Sequence, residues 1–198
     1  MLKHTFIHLP GIGERREGHF WRQGLRTWED FLAAGLVRGL SREHFRRLQR
    51  ALEESLVQED NPAYFAARLP AVQHWRLFRK FRRRAAYLDI ETTGTAWPGL
   101  LVTVVGLYDG VTMRQFVQGH NLQEFPAALE NFDMIITYNG AQFDLPVLRA
   151  YFPELRLPPV HVDLRFVLAR LGYKGGLKGI VPQFGIIRPP EVEGMDGY

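Results

Sequence analysis

Residues 85–94 constrain the fold of this chain more than any other stretch. They read AAYLDIETTG, an apolar run that ends in two acids, Asp89 and Glu91. Side chains alternate between the two faces of a β-strand, so two acids that are two residues apart point to the same side. The pattern therefore predicts a strand of a packed sheet that presents a pair of carboxylates near its end.

Two carboxylates held this close repel each other unless a cation lies between them. Oxygen ligands of this kind suit Mg2+ or Mn2+ better than zinc. The chain has no cysteine, which excludes disulfides, thiolate catalysis and cysteine-ligated zinc. Any metal must be held by oxygen or histidine, and Asp89 with Glu91 forms the first half of a predicted metal site.

The composition is that of a globular protein. The chain has 198 residues, of which 46% are hydrophobic, enough for one large domain or for a domain with a smaller appendage. No apolar run approaches the roughly 20 residues needed to cross a bilayer, and the first residues lack the apolar core of a signal peptide. We therefore expect a soluble cytoplasmic protein without a membrane partner. The net charge of +4 is too modest to indicate a nucleic-acid ligand by itself.

Residues 1–84 are predicted to form a small, mainly helical region. Ser41 is expected to cap a helix, because apolar residues recur at helical spacing from residue 45 to residue 56. Thr27 with an acid three residues later is a near-match to a capping box and predicts a shorter helix. The opening segment, residues 3–9, reads as a strand.

The sequence LPGIG at residues 9–13 resembles the hairpin of helix-hairpin-helix DNA-binding modules, whose backbone amides can hold a phosphate. An ordinary glycine-containing turn between helices explains these residues equally well. The region is therefore described as a possible helix-hairpin-helix-like start.

From residue 85 onward the pattern changes to strands that alternate with helices. Periodicity predicts strands at 85–91, 100–107, 111–117, 134–138 and 160–163, with helices at 122–131, 145–151 and 164–171. The Asp109-Gly110 turn predicts that the early strands form an antiparallel meander. The resulting order predicts an α/β ribonuclease-H-like fold, a mixed sheet with flanking helices. We therefore place two domains, residues 1–84 and residues 85–198.

A third acid follows the strand predicted at residues 134–138. The segment YNGAQFDLP, residues 138–146, places Asp144 at the entry to a helix. Taken alone, an Asp at this position is a common helix N-cap, and Asn-Gly is a common turn. In this order along the chain, Asp89, Glu91 and Asp144 together predict a three-carboxylate cation site.

The acidic segments resemble the first two motifs of the DEDD exonuclease superfamily. The resemblance is carried by Asp89-x-Glu91 and by Asn139-x-x-x-Phe143-Asp144. The phrases YLDIETTG, ITYNGAQFDLPVL and HVDL look like the YprB-type branch with its ribonuclease-H-like domain, and HTFIHLPGIG and WRLFRKF look like the leader of that branch. The resemblance covers residues 85 to about 190.

The resemblance implies a metal-dependent 3′–5′ exonuclease that hydrolyses phosphodiester bonds in single-stranded DNA or RNA. It implies two Mg2+ or Mn2+ ions, with Asp89 binding both while Glu91 and Asp144 complete their shells, so that water is activated and the leaving oxygen is stabilised. It also implies nucleic-acid contacts beside the acids, although an aromatic at a strand exit is more often core. The residues assigned to these contacts are Thr92, Thr93, Asn139 and Phe143.

The chain departs from the family pattern at its end. The third motif of the family, Tyr-x-x-x-Asp or a histidine variant on a late helix, is absent from the sequence, which ends in EGMDGY. We therefore expect the chain to stop short of this region and its nuclease activity to be impaired. Two further acids are candidate ligands: Asp196 near the terminus, and Asp163, for which a helix N-cap is the alternative.

Basic residues supply further candidate contacts to nucleic acid. Six crowd into residues 76–84 between aromatic side chains, which combines phosphate-attracting charge with stacking surface. The alternative is a solvated face beside buried aromatics. Lys174 and Lys178 flank a Gly-Gly pair and could contact phosphate, or belong to a flexible loop. The residues assigned from 76–84 are Arg82, Arg83 and Arg84. Together these residues support an alternative function, a non-catalytic nucleic-acid-binding module.

Overall fold

The structure is a computed structural model that describes residues 1–94 and 99–187. The chain divides into two compact units, Met1–Arg82 and Arg83–Tyr198, close to the predicted boundary after residue 84. Within the described ranges, no helix is long and apolar enough to cross a lipid bilayer.

The first unit is built from helices. Its α-helices are α1 (Glu14–Arg22), α2 (Trp28–Ala33), α3 (Arg42–Val57), α4 (Pro62–Ala66) and α5 (Phe78–Phe81). The prediction of a strand over residues 3–9 is wrong, because the chain there forms the 3-10 helix Leu2–His4 followed by turns. Residues 5–9 are all buried, so the one-sided alternation of a surface strand does not apply to them.

The two capped helices begin where the sequence predicts. The Thr27 hydroxyl accepts the N–H of Asp30 at 3.2 Å, and the Asp30 carboxylate accepts the N–H of Thr27 at 2.8 Å, which completes a capping box for α2. The Ser41 hydroxyl accepts the N–H of His44 at 3.2 Å and caps α3. Caps of this kind stabilise a helix by about 1 kcal/mol each.

Aromatic side chains fill the core of the first unit. The rings of Phe6, Phe20 and Phe31 contact one another with centroid separations of 5.3, 5.5 and 5.7 Å. Trp28 is fully buried, and its indole N–H donates to the carbonyl of Thr5 at 2.7 Å. The core therefore buries a large aromatic surface without leaving the indole donor unpaired.

A buried ion pair holds Arg76 inside the first unit. Its Nη2 lies 2.9 Å from Glu17 Oε2, with the two side chains 10% and 1% exposed. The same guanidinium donates to Thr5 Oγ1 at 3.0 Å and to Gln73 Oε1 at 2.7 Å. The basic segment at 76–84 is therefore not uniformly a phosphate-binding face, because its first arginine is used for packing.

The second unit contains a five-stranded mixed sheet. Its strands are β1 (Ala85–Thr92), β2 (Val102–Tyr108), β3 (Met113–Val117), β4 (Met134–Thr137) and β5 (Val160–Asp163), in the order β3-β2-β1-β4-β5. The strand β2 pairs antiparallel with β1 and with β3, whereas β1, β4 and β5 run parallel to one another. This is the meander with parallel additions that the sequence predicts.

Helices cover one face of this sheet. The α-helices of the unit are α6 (Phe125–Leu129), α7 (Asp144–Tyr151), α8 (Leu164–Arg170) and α9 (Leu177–Ile180). Leu88 and Ile90 of β1 pack in one apolar cluster with Phe125 of α6 and Leu148 of α7. The acids that alternate with these residues therefore lie on the other side of β1.

The carboxyl ends of β1, β4 and β5 meet at one edge, because the three strands run in the same direction. In open α/β sheets, ligands bind outside this edge. The fold thus brings the last residues of β1 and β5 and the residues that follow β4 to one edge, and these include all the described acids that the sequence marks as candidates.

Candidate active site

Asp89 and Glu91 stand near the end of β1 on its exposed face. The burial pattern along β1 alternates, with Leu88 and Ile90 buried while Asp89 and Glu91 are exposed. The pairing of β1 with β2 shifts register between Glu91 and Thr92. Such bulges re-aim side chains beside active sites. The predicted side-by-side placement of the two carboxylates on one strand face is what the structure contains.

Asp144 reaches the same edge from the next parallel strand. The strand β4 ends at Thr137, a turn follows, and Asp144 is the first residue of α7. The residue is only 4% exposed. A carboxyl group held this far from water loses hydration, which makes its charged form costly unless a partner compensates.

The electrostatics of the site are dominated by that burial. Burial raises the pKa of Asp144 from 3.8 to about 6, and the negative charges of Asp89 and, more weakly, Asp163 add to the rise, while the backbone N–H groups of Asp144 and Ile90 oppose it. Although Asp89 as a whole residue is exposed, its carboxyl group is partly desolvated, which likewise raises its pKa, opposed by the N–H of Ile90. Two carboxyl groups with raised pKa values that repel each other gain most when a cation neutralises their charges.

The donor chemistry of this pair fits a hard divalent cation, since both side chains offer carboxylate oxygens. The full predicted set is not assembled, however. Within residues 1–94 and 99–187, no group of three or more His, Asp or Glu side chains is arranged to hold a metal ion. The structure thus couples Asp89 with Asp144 and leaves Glu91 outside such a three-ligand group.

A tight turn links β4 to α7 and sets the position of Asp144. Asn139 adopts a positive φ of 66°, and its carbonyl accepts the N–H groups of Gln142 and Phe143 at 3.1 and 3.3 Å. A Cβ atom on Gly140 would overlap the side chain of Thr137. Asn tolerates the left-handed region and glycine permits the close approach, so the Asn-Gly pair suits this turn.

The carboxylate of Asp163 holds the same turn. It accepts the backbone N–H of Asn139 at 2.8 Å, that of Ala141 at 3.1 Å and that of Arg165 at 3.0 Å, and it caps α8. Three donors therefore already use its oxygens. The N-cap that the sequence analysis gave as the alternative for Asp163 is present, and a role as metal ligand stays a prediction.

Arg165 lies beside the candidate active site, although no sequence pattern predicts it there. Its Nη1 donates to Gln142 Oε1 at 2.8 Å and also to Asn139 Oδ1, so the guanidinium spans the turn. The only signal in the sequence is its position two residues after Asp163, where a cap and a first-turn side chain face the same loop. Arg165 lies more than 20 positions from Asn139 and Gln142, so no local sequence pattern predicts these contacts.

A cleft of about 580 Å3 adjoins this turn. The Tyr138 hydroxyl donates to the carbonyl of Gly175 at 2.5 Å, which ties the turn to the loop before α9. Asn139 and Lys174, both predicted to contact nucleic acid, line this cleft together with Arg165. Two cationic side chains and one amide thus line a single opening beside the turn between β4 and α7.

The remaining predicted contacts are dispersed. Thr92 donates to the carbonyl of Gly94 at 2.6 Å, and the Thr93 hydroxyl accepts the N–H of Leu101 at 3.1 Å, so both serve local turns. Phe143 is half-buried against the apolar cluster of the second unit, which is the core placement that the sequence analysis considered. Lys178 is an exposed residue of α9.

The arginines of the 3-10 helix Arg82–Arg84 are exposed. Arg84 Nε lies 3.4 Å from Asp133 Oδ2 and donates to the carbonyl of Asn131 at 3.3 Å. Asp196, the other candidate ligand, lies in 188–198, outside the described residues. These assignments therefore stay predictions.

Several solved structures resemble this chain. Escherichia coli RNase D, an exoribonuclease involved in structured RNA processing, is 20% identical, with 64% of this chain and 34% of that chain covered and a TM-score of 0.46. Brucella melitensis NrnC with bound Mg2+ is 22% identical over 57% of this chain and 58% of that one, with a TM-score of 0.42. The chain thus spans about a third of the first structure and somewhat over half of the second. No curated protein matches the chain.

A family model gives the assignment. It describes the RNase_H superfamily and matches residues 86–198, which is more than half of the chain and covers every candidate carboxylate and all of the sheet except its first residue, Ala85. The order of strands, the mixed sheet and the flanking helices agree with this match. The chain therefore belongs to the RNase_H superfamily.

Proposed function

We propose that this protein is a metal-dependent nuclease that hydrolyses phosphodiester bonds, with Asp89, Glu91 and Asp144 as the carboxylates of its active site. The observation that carries the proposal is the coupling of Asp89 to the buried Asp144, whose pKa is raised to about 6 by burial and by the neighbouring charge. Perturbed carboxyl groups cluster at functional sites, and here they stand at the edge of the sheet where ligands bind.

Mg2+ or Mn2+, when bound, would supply activated water and neutralise charge on the leaving oxygen, and two ions are the arrangement that we propose. Asp144 would bind through its oxygens in the ionised form. Asp89 would bind from β1, and the N–H of Ile90, which acts on both carboxyl groups, would keep them oriented. Glu91 would join through a side-chain movement, since it is exposed and unconstrained at the strand end.

For the substrate, we propose a single strand of DNA or RNA that is degraded from its 3′ end, and a place for this chain in the YprB-type branch. The cleft lined by Asn139, Arg165 and Lys174 offers an amide and two cationic side chains for sugar and phosphate. The exposed face of β1 leaves Asp89 open to solvent, as an attacking water requires.

The test is cleavage of end-labelled single strands by the 198-residue chain in Mn2+ or Mg2+. Asp89→Asn and Asp144→Asn should each lower the rate by at least about a hundredfold, because each removes a charge that must hold a cation. Asp60→Asn is the matched control, since this Asp side chain is 91% exposed and belongs to the other unit. Equal cleavage by Asp144→Asn and the unchanged chain would refute the proposal.

A second candidate is a nucleic-acid-binding module without catalysis. It is favoured by one observation, the lack of a three-ligand group for a metal among the described side chains. This candidate predicts binding in the presence of a chelator, no cleavage of DNA or RNA with either metal, and no effect of Asp144→Asn on affinity. Metal-dependent cleavage that Asp144→Asn abolishes would eliminate it.

A further inference from the structure

The helix α3 of the first unit carries a row of arginines that the carboxylate site does not use. Arg42, Arg46 and Arg50 recur every four residues, and Arg47 lies beside them. All four are exposed. The opposite face of α3 is buried through Phe45, Leu48 and Leu52, among others, so the arginines cover the solvent side of its first two turns. The row from Arg42 to Arg50 is about 12 Å long.

Ion pairs within the fold do not explain why these four arginines lie together on α3. Among the described side chains, none of the four arginines forms an ion pair. Like charges four residues apart destabilise a helix, and the row contains two such pairs, Arg42 with Arg46 and Arg46 with Arg50. Arg42 is also the first residue of α3, where the helix dipole disfavours a cation. Glu43 lies one helical turn before Arg47 and Glu54 one turn after Arg50, but among the described side chains neither forms an ion pair with the row. The guanidinium groups can therefore bind a ligand of opposite charge.

The row continues onto α1. The charges of Arg47 and Arg16 both lower the pKa of His44, after the larger effect of desolvation, so these two arginines flank the same imidazole. Arg16 donates to the carbonyl of Gly11 at 2.8 Å and is held in place. Arg15, Arg16 and Arg22 of α1 line one open cleft of about 700 Å3. We call the basic residues of these two helices the arginine face.

The net charge of the first unit is consistent with a basic surface on α1 and α3. Residues 1–82 contain 15 Lys and Arg against 9 Asp and Glu, a net charge of +6, whereas residues 83–198 contain 10 against 12. The modest net charge of the chain therefore hides a basic first unit and a slightly acidic second one. An arginine-rich surface of this kind attracts polyanions and gives them bidentate donors.

We propose that the arginine face, defined by Arg42, Arg46, Arg47 and Arg50 with Arg15, Arg16 and Arg22, binds the phosphate backbone of a nucleic-acid strand. The choice of ligand rests on the proposed nuclease function of the second unit. A membrane surface fits less well, because the apolar side of α3 is buried in the core and no apolar stripe accompanies the arginines. Regularly spaced arginines suit a regularly spaced row of phosphates.

The test measures affinity of the full chain for a fluorescent single strand in chelator, over about 50 to 200 mM salt. The variant is Arg46→Gln with Arg50→Gln, and the matched control is Arg149→Gln with Arg156→Gln, two exposed arginines of the second unit. The α3 pair should weaken binding about tenfold, and the slope of log affinity against log salt should fall by about 1.4. The control pair should leave both unchanged.

Folding does not confound this test, because glutamine is a good helix former and both like-charge pairs of the row are removed. The Tm of the α3 variant should stay equal or rise. If the α3 substitutions and the control substitutions weaken binding equally, the effect is due to net charge alone and the proposal is overturned. Unchanged affinity of the α3 variant would also overturn it. Binding to anionic phospholipid vesicles with none to nucleic acid would also overturn it.

The experiment separates this proposal from the nuclease proposal. A chain that binds through α3 but never cleaves would refute only the nuclease function. A chain that cleaves in Mn2+ while its affinity ignores the α3 substitutions would refute only the arginine face.

Discussion

The charge of Asp89 raises the pKa of Asp144, so the end of β1 and the start of α7 are coupled electrostatically although the two residues lie 55 positions apart in sequence. Burial is the larger cause of the rise, and the Asp89 charge is the part that a substitution can remove. This coupling marks the place where a cation would relieve most repulsion.

Asp89→Asn should therefore lower the pKa of Asp144 from about 6 without returning it to its ordinary value of 3.8, because burial remains. The measurement is a carboxyl titration followed by NMR in chelator. Asp60→Asn, which changes an exposed acid, should leave the titration unmoved. An Asp144 pKa that ignores the loss of Asp89 would contradict the coupling.

Asp144→Asn should stabilise the metal-free protein at high pH. The folded-state pKa of about 6 lies above the ordinary 3.8, so the folded state binds more protons, and stability is lost as pH rises from about 4 to above 6. The full loss is about 3 kcal/mol. The neutral Asn removes it, so urea unfolding should show a gain in free energy above pH 6 and almost none below about pH 4. A variant that is less stable throughout would contradict this.

Gly140→Ala should destabilise the second unit by about 1–3 kcal/mol, because the new methyl group would overlap Thr137. The overlap would also displace the turn that leads to Asp144. Gly179→Ala in α9 is the matched control, since its Cβ would meet nothing within 4 Å. Chemical unfolding of the two variants gives the comparison. Equal stability would contradict the close approach of Gly140 to the Thr137 side chain.

Asp163→Ala should cost about 2–3 kcal/mol of unfolding free energy, because the substitution leaves three backbone N–H groups and the start of α8 without their acceptor. Asp163→Asn keeps one oxygen acceptor and should recover part of this loss. If Asp163 were instead a metal ligand, Asp163→Asn would abolish the rise in Tm that Mn2+ produces.

Much of the second unit could be predicted from its sequence because the signals are local. The alternation in β1, the turn at Asp109 and the strand at Val160–Asp163 each depend on a few adjacent residues. The predicted α/β ribonuclease-H-like fold is confirmed by the family match and by the mixed sheet. Parallel strands then bring Asp89 and Asp144 to one edge without further information.

What could not be predicted depends on distant partners. Arg76 looks like part of a basic surface until Glu17, 59 residues away, is placed beside it. Asp163 and Arg165 form hydrogen bonds with Asn139 from more than 20 residues away in sequence, so the spacing of these residues does not predict the contacts. A strand was predicted for residues 3–9 because so short an apolar run has the same sequence pattern whether it is buried on one side or on all sides.

Mn2+ binding to the Asp89–Asp144 pair tests the central claim most directly. Calorimetric titration at a pH above 7 should show binding by the unchanged chain and by Asp60→Asn, and loss of at least about tenfold in affinity for Asp89→Asn and for Asp144→Asn. Affinity should also fall as pH drops below 6, where Asp144 takes up its proton. Undiminished Mn2+ affinity in Asp144→Asn, or no binding by the unchanged chain, would contradict the account.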